Sequence, residues 1–416
     1  MRPNVKVILG NGTLGTVATS LDGVCLLVIG ATADYIATVE AARAGASNGL
    51  VVLQPKDAEL VAITEANDLA EQCLVWEHIN DFYQLAPLGT ELHVLLLDSA
   101  VTLTNTFTEA HVAYAKVQQY LYSKSGRIRM LGVALNPAVA EVATAAGISA
   151  DLAAAIPLAQ AFALKEFSLH RPLDILLEGR KFDTTAAQAT DLKTLNSNSV
   201  AIVIGKDALR AAALTLAGHT NVAYAQLGKA LGRAASIPVH RNLGRVKDGA
   251  VPGVAQAALS GGDLMSSLSE ADLDVLTDKG YIFYLMHAGK DGYFFNYDST
   301  CAPKTDDYCT LSRSRTIKKA SRIARAVYLE ELLDELQVDP DSGKLLAIVV
   351  AGFQNTLENA ISTQMAGEVS GVEVEFSADQ NVLATNKTQA TLRVVPLGTN
   401  EQIETKVEYS NPSAND

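Results

Sequence analysis

One glycine-rich turn sits where it could cradle a phosphate: Gly10-Asn11-Gly12-Thr13-Leu14-Gly15, directly after the apolar run Val5 to Leu9. A dinucleotide site built on such a turn needs its third glycine to open a helix and an acidic residue at the tip of the next strand. The next residues are Thr16-Val17-Ala18-Thr19-Ser20, β-branched and poor at starting a helix, and the second apolar run ends on Ile29-Gly30. The spacing therefore reads as a turn between strands, with a nucleotide or small-molecule site at Gly10 to Gly15 as the alternative. The histidines, at 78, 93, 111, 170, 219, 240 and 287, contain no HxH or HExxH pair, and the cysteines, at 25, 73, 301 and 309, no CxxC unit. Gly228-Lys229-Ala230 lacks the upstream glycine and the Ser/Thr of a phosphate loop, and no GxSxG elbow occurs. Asp306-Asp307 and Glu330-Glu331 read as solvated faces. No catalytic residue, cofactor-binding residue or metal ligand is assigned, and an enzyme is not expected.

A less ordinary pattern lies further on. Arg313, Arg315, Lys318, Lys319, Arg322 and Arg325 fall in one helical stretch without an acid, and Glu330, Glu331, Asp334 and Glu335 come after it. Cations near the positive end of a helix dipole and anions near the negative end are each unfavourable by a few tenths of a kcal/mol. Arg315, Lys319 and Arg322 share one face, opposite Ile317, Ala320, Ala324 and Val327, which the spacing assigns to a core. Two readings stay open: a solvated basic face, or a basic stripe that meets an acidic partner surface and acts through orientation and long-range attraction.

The elements around these residues alternate. Apolar runs at Val24 to Ile29, Val51 to Leu53, His93 to Leu97, Arg129 to Leu135, Leu173 to Leu177, Val200 to Ile204 and Tyr281 to His287 read as strands, with a short one at Tyr293 to Phe295. Helical patterns begin near Ala33 and cover Asp57 to Cys73, Phe107 to Tyr122, Ala138 to Phe167, Asp183 to Leu195 and most of Ala208 to Arg233. Ser236 to Gly262 reads as loops. Ser269 with Asp272 forms a capping box for a helix to Lys279. This alternation predicts an α/β layer architecture. Two long helices come next, Ser312 to Leu336 and Ser342 to Met365. After them lie three period-two segments, around Val372 to Phe376, Leu392 to Val395, and Ile403, Thr405, Val407 and Tyr409.

With 416 residues the chain is long enough for two or three domains. Its 33 Lys plus Arg stand against 46 Asp plus Glu, a net charge of −13, which argues against a nucleic-acid partner. The N-terminus has no secretory signal pattern, no apolar run is long enough to cross a bilayer, and four separate cysteines read as reduced residues of a cytoplasmic protein.

Lys290-Asp291-Gly292-Tyr293-Phe294-Phe295-Asn296, then Asp306-Asp307-Tyr308, then Ser312 to Ala320, resembles the C-terminal region of contractile tail sheath proteins. In that family a strand is followed by an extended loop with an aspartate, a basic helix, a second helix and a final β-unit, here Leu392 to Gly398 and Ile403 to Tyr409. Leu227 to Arg233 with Ser236 to Val239 also resembles a sheath core segment, and Val5 to Gly15 the N-terminal arm of a divergent subfamily from prophages and injection devices. The resemblance implies a mixed-sheet sheath core with flanking helices, two long C-terminal helices, and a terminal β-unit with extended arms. It divides the chain into an arm at 1–20, a core at 21–310, a helical segment at 311–370 and a β-unit with arm at 371–416. It implies a helical homo-oligomer around an inner tail tube, with baseplate and tail terminator proteins as further partners, assembled in the bacterial cytoplasm and contracting without nucleotide. Arg313, Arg315, Lys318, Lys319, Arg322 and Arg325 become candidates to face the tube. Val5, Val7 and Leu9 with Ile403, Thr405, Val407 and Tyr409 become candidates for strands given to a neighbouring subunit.

Overall fold

The computed structural model describes residues 21–43, 49–135, 146–377 and 379–409. The apolar runs become strands because both of their faces are covered. β1 (Cys25–Ala31), β2 (Leu50–Val52) and β3 (Leu92–Asp98) alternate with α1 (Ala33–Ala42), α2 (Pro55–Glu59), α3 (Glu65–Glu71) and α4 (Val75–Tyr83). α5 (Leu103–Phe107), α6 (Val112–Ser123), β4 (Met130–Ala134), α7 (Ala150–Ser168), β5 (Asp174–Glu178) and β6 (Val200–Val203) continue the pattern. β7 (Gly205–Asp207), α8 (Ala208–Ala217), α9 (Leu227–Ser236), β8 (Ala257–Leu259), α10 (Glu270–Asp278), β9 (Tyr281–Ile282), β10 (Tyr284–Leu285) and β11 (Phe294–Phe295) lead into α11 (Leu311–Glu330). The order in the main sheet is β2-β3-β1-β4-β5-β6-β9, parallel throughout except for the antiparallel edge strand β2. Such a sheet buries its strands on both sides, and β1, β4, β5 and β6 are buried at every residue.

The chain divides into two compact units, Met1–Glu330 and Glu331–Asp416. The second holds α12 (Ala347–Gln364), β12 (Val369–Phe376), the short α13 (Val382–Thr385) and β13 (Ala390–Pro396) around a small core of Leu345, Val350 and Phe376. β12 and β13 pair with each other and, among the described residues, with no other strand.

Several expectations need correction. The helix expected over 57–73 is two, because Ala62 takes a left-handed φ of 63° and Thr64 opens a new helix with its hydroxyl on the Asn67 N–H. The helix expected over 107–122 starts only at Val112, with His111 as N-cap, and Phe107 instead ends the separate α5. Only Leu192–Leu195 of the expected 183–195 helix is helical, as a 3-10 turn. The 281–287 strand breaks between Ile282 and Tyr284, so that β9 joins the main sheet and β10 pairs with β11. The segment 401–409 forms no strand with its own chain. The turn at Gly10 to Gly15 and the candidates Val5, Val7 and Leu9 lie outside the described residues. α4 lies where the sequence pattern assigned no element; it is a short amphipathic helix soon after α3.

α4 and α9 pack closely because α9 turns Gly228 and Gly232 toward the α4 backbone. A Cβ on Gly228 would overlap the His78 carbonyl oxygen, and one on Gly232 that of Phe82. Neither obstacle is a side chain that could swing aside. Gly228→Ala should therefore destabilise the first unit by about 1–3 kcal/mol, seen as a lower urea midpoint for its unfolding. An unchanged midpoint would mean that α4 and α9 are free to separate.

Candidate functional site

The basic helix α11 is the candidate site, and its position is set by polar groups buried beneath it. Asp298 opens it: the Ser312 N–H donates to its carboxylate at 2.9 Å and the Leu311 N–H to its carbonyl at 2.8 Å. Asp298 is itself buried and also accepts from the Asn242 amide. The next turns carry cations inward at intervals of three and four residues.

Lys318 donates to the Asp174 carboxylate at 2.6 Å, the Leu173 carbonyl at 2.9 Å and the Ser199 hydroxyl at 2.9 Å, which uses all three of its N–H bonds. Ser314 donates to the same Asp174 oxygen at 2.6 Å. Arg315 reaches the Ala234 and Ile237 carbonyls, at 2.7 and 3.3 Å, at the negative C-terminal end of α9. Lys319 lies 2.7 Å and Arg322 3.7 Å from Asp22, and Arg322 also donates to the Pro172 carbonyl. Burial lowers the proton affinity of Arg315 and Lys318, and brings Arg322 down to about 9 with Arg129 as a neighbouring like charge.

The face expected to be solvated is thus the one turned inward. Arg315 and Lys318 are buried, and Lys319 and Arg322 are mostly covered; of the four residues assigned to a core, Ala320 is fully buried and Ile317, Ala324 and Val327 are only half-buried. Arg313 and Arg325 remain exposed. The reason is that Asp174, Asp22 and the end of α9 supply acceptors that a sequence pattern cannot show. Cations at the N-terminal half of a helix, costly against its dipole, are offset here by carboxylates held on other elements.

Sequence pattern alone did not single out Asp22, Asp174 or Asp298. Asp22 and Asp298 stand in segments without a motif. Asp174 had a signal, a carboxylate at the start of a continuous apolar run, where a charge is expensive unless paired.

In the second unit the candidates Ile403, Thr405, Val407 and Tyr409 lie on an extended segment exposed at every residue; Ile403 is 77% and Val407 87% exposed. The neighbouring β12–β13 pair has two unlike edges. The Val374 N–H donates to Glu358 and the Val374 carbonyl accepts from Gln354, so side chains of α12 close the β12 edge at this point. Because Val374 turns its backbone groups away from β13, its partner Leu392 must turn its own away from β12. By the same alternation, Ala390, Leu392 and Val394 present their backbone groups on the outer edge of β13.

Among the described residues no group of His, Cys, Asp and Glu could hold a metal ion, and no helix is long and apolar enough to cross a membrane. The four cysteines are buried and unbridged.

Two family models match in tandem: DUF2586, N-terminal domain, over residues 2–299, and DUF2586, C-terminal domain, over residues 307–414. No curated protein matches. A chain in the cryo-EM structure of the anti-feeding prophage baseplate is similar over 99% of both chains, with 12% identity and a TM-score of 0.61. A chain of the contracted sheath complex of the PVC extracellular contractile injection system is similar over 100% of this chain and 99% of that one, at 11% identity and a TM-score of 0.49. The sheath tail protein of Desulfitobacterium hafniense is similar over 95% and 100%, at 10% identity and a TM-score of 0.46. The first likeness shows that the mixed α/β fold described above is shared, across its whole length, with a chain of the anti-feeding prophage baseplate.

Lys318→Met removes the partner of a buried carboxylate and should cost about 3–5 kcal/mol. Arg313→Glu and Arg325→Glu, at exposed positions, should each stay within about 0.5 kcal/mol of the parent. Urea unfolding of the three variants checks both statements; equal effects would mean that Lys318 is solvated after all.

Proposed function

The chain belongs to the DUF2586 family, and we propose that it is a structural subunit of a contractile tail sheath, polymerising around an inner tube. The observation that carries this reading is the unsatisfied second unit: a two-stranded sheet with one open edge, next to an extended apolar-alternating segment that forms no strand with its own chain. A two-stranded sheet is marginal alone, and an open edge is a template for another strand. The period of two in Ile403, Thr405, Val407 and Tyr409 suits such a strand from a neighbouring copy, and heterologous donation of this kind propagates without closing. The full-length likeness to a chain of the anti-feeding prophage baseplate supports the same reading.

On this reading the outer edge of β13 receives the strand, since α12 closes β12 at Val374. The stiff first unit moves as a body while the strand links persist, and the sheath passes between two discrete packings with no nucleotide step. Of the six basic candidates, Arg313 and Arg325 are the ones open to an acidic tube. Arg315, Lys318, Lys319 and Arg322 serve the chain's own interior. Baseplate and tail terminator proteins would cap the two ends of the polymer, and no nucleic acid takes part.

Deleting residues 403–416 should leave the thermal melt unchanged and abolish tubes or rings in negative-stain electron micrographs of concentrated protein. Polymers formed by the truncated chain, or a discrete monomer or dimer formed by the intact one at every concentration, would overturn the strand-exchange reading. A pair of proline variants probes the receiving edge. Leu392→Pro removes an N–H on the outer edge, whereas Arg393→Pro removes one used inside the β12–β13 pair. Leu392→Pro should block assembly in a folded protein, while Arg393→Pro should also lower the melting temperature of the second unit.

A further inference from the structure

Within an acidic chain, the loop Arg241-Asn242-Leu243-Gly244-Arg245-Val246-Lys247-Asp248 carries three cations and one carboxylate. It has no regular structure beyond a 3-10 turn at Val246–Asp248, yet it is held from below by two cations of α9. Arg233 donates to the Asp248 and Gly249 carbonyls at 2.7 Å each and to that of Ala250 at 3.2 Å. Lys229, one helical turn earlier, donates to the Pro252 carbonyl at 2.7 Å and to Gln84, and pairs with Asp81 at 3.3 Å. Lys229 is completely buried and Arg233 nearly so. Burying charge is costly unless its donors are used, and here both terminal nitrogens of Arg233 and one bond of Lys229 hold the carbonyls of residues 248–252.

Further bonds hold the remainder. Asn242 ties to Asp298, the Gly244 N–H donates to Asn242 at 2.8 Å, and the Val251 N–H donates to the Tyr293 carbonyl at 2.7 Å. Gly244 lies against the Phe295 and Asn296 carbonyls, where a Cβ would clash. On the outside, Asp248 holds Arg241 at 3.1 Å and Arg245 at 2.5 Å side by side, each about a third exposed, while Val246 and Lys247 project into solvent. The result is a rigid cationic knuckle. A surface already fixed in its binding shape loses little entropy on docking.

We propose that this knuckle docks the acidic segment 330–341 of a second copy of the chain. That segment contains Glu330, Glu331, Asp334, Glu335, Asp339 and Asp341 with no Lys or Arg, and Glu330, Glu331, Asp334, Glu335 and Asp341 are exposed. It is the complementary partner in charge, and opposed patches fix the register of an interface and suppress wrong pairings. A net charge of −13 also makes copies repel one another, and a local inversion of sign at a contact offsets part of that repulsion. The inference rests on the self-assembly reading but concerns a separate surface from the β13 edge.

The test uses the full chain as an equal mixture of 15N-labelled and unlabelled protein, treated with a carbodiimide that joins ammonium to carboxylate without a spacer. A mixed-isotope peptide linking Lys247 to the 330–341 segment, suppressed several-fold in 1 M NaCl, is the expected result. Lys247→Glu should raise the concentration needed for assembly about tenfold, with an unchanged thermal melt. Adding Glu331→Lys and Glu335→Lys to that variant should restore it. Polymers that form without the mixed-isotope link, a link found only within one chain, or a charge swap that fails to restore assembly would each overturn the contact. If the link forms but micrographs show no polymer, the contact stands and the sheath reading fails; if neither appears, both fail.

Discussion

The first unit depends on where the positive charge of α11 goes. A helix with cations at positions 315, 318, 319 and 322 cannot lie on a parallel sheet unless carboxylates and carbonyls wait beneath it. Asp174 waits at the start of β5, Asp22 just ahead of β1, and the last carbonyls of α9 end beside Arg315. These contacts join the beginning of the described chain, the middle of the sheet and the last helix of the unit. They also account for the helix being basic at its N-terminal half: the unfavourable dipole term is a few tenths of a kcal/mol per charge, whereas an unpaired Asp174 in this interior would cost several.

The same logic recurs in α9. Gly228 and Gly232 let the helix approach α4, and Lys229 and Arg233 then emerge beside loops they can hold by their carbonyls. Several of this protein's cations do structural work in the interior, beside buried carboxylates such as Asp81, Asp174 and Glu178.

The strands of the main sheet were legible because buried parallel strands read as continuous apolar runs, as in Cys25 to Ala31 and Val200 to Val203. The capping box at Ser269 and Asp272 was equally readable, being local chemistry with a local outcome. Helix boundaries at 62–64 and 108–111 were not, since a left-handed alanine and a histidine cap leave little trace in a periodic pattern. The direction faced by α11 was the largest misreading. Apolar spacing assigns Ile317, Ala320, Ala324 and Val327 to a core; Ala320 is buried, but the placement of Asp22, Asp174 and the α9 carbonyls draws the cations inward and leaves the other three half-buried. Amphipathicity locates a core when charges are solvated, and it misleads where charges are paired inside.

The second unit shows the opposite imbalance. Its core is small, its sheet has two strands, and its last described residues keep Ile403, Val407 and Tyr409 in water. Burying an aliphatic side chain is worth about 1.5–3 kcal/mol, so a monomer that leaves such residues extended forgoes stabilisation that a partner could supply. Packing them back onto its own sheet would need the outer β13 edge, and a chain that filled this edge itself would have nothing to offer a neighbour. The Glu358 and Gln354 bonds to Val374 sharpen that choice by closing the other side. A sheet with one edge closed by its own helix and the other open adds strands in one direction only. On the proposed reading, that asymmetry confines strand addition to the outer edge of β13, opposite the point where α12 meets Val374.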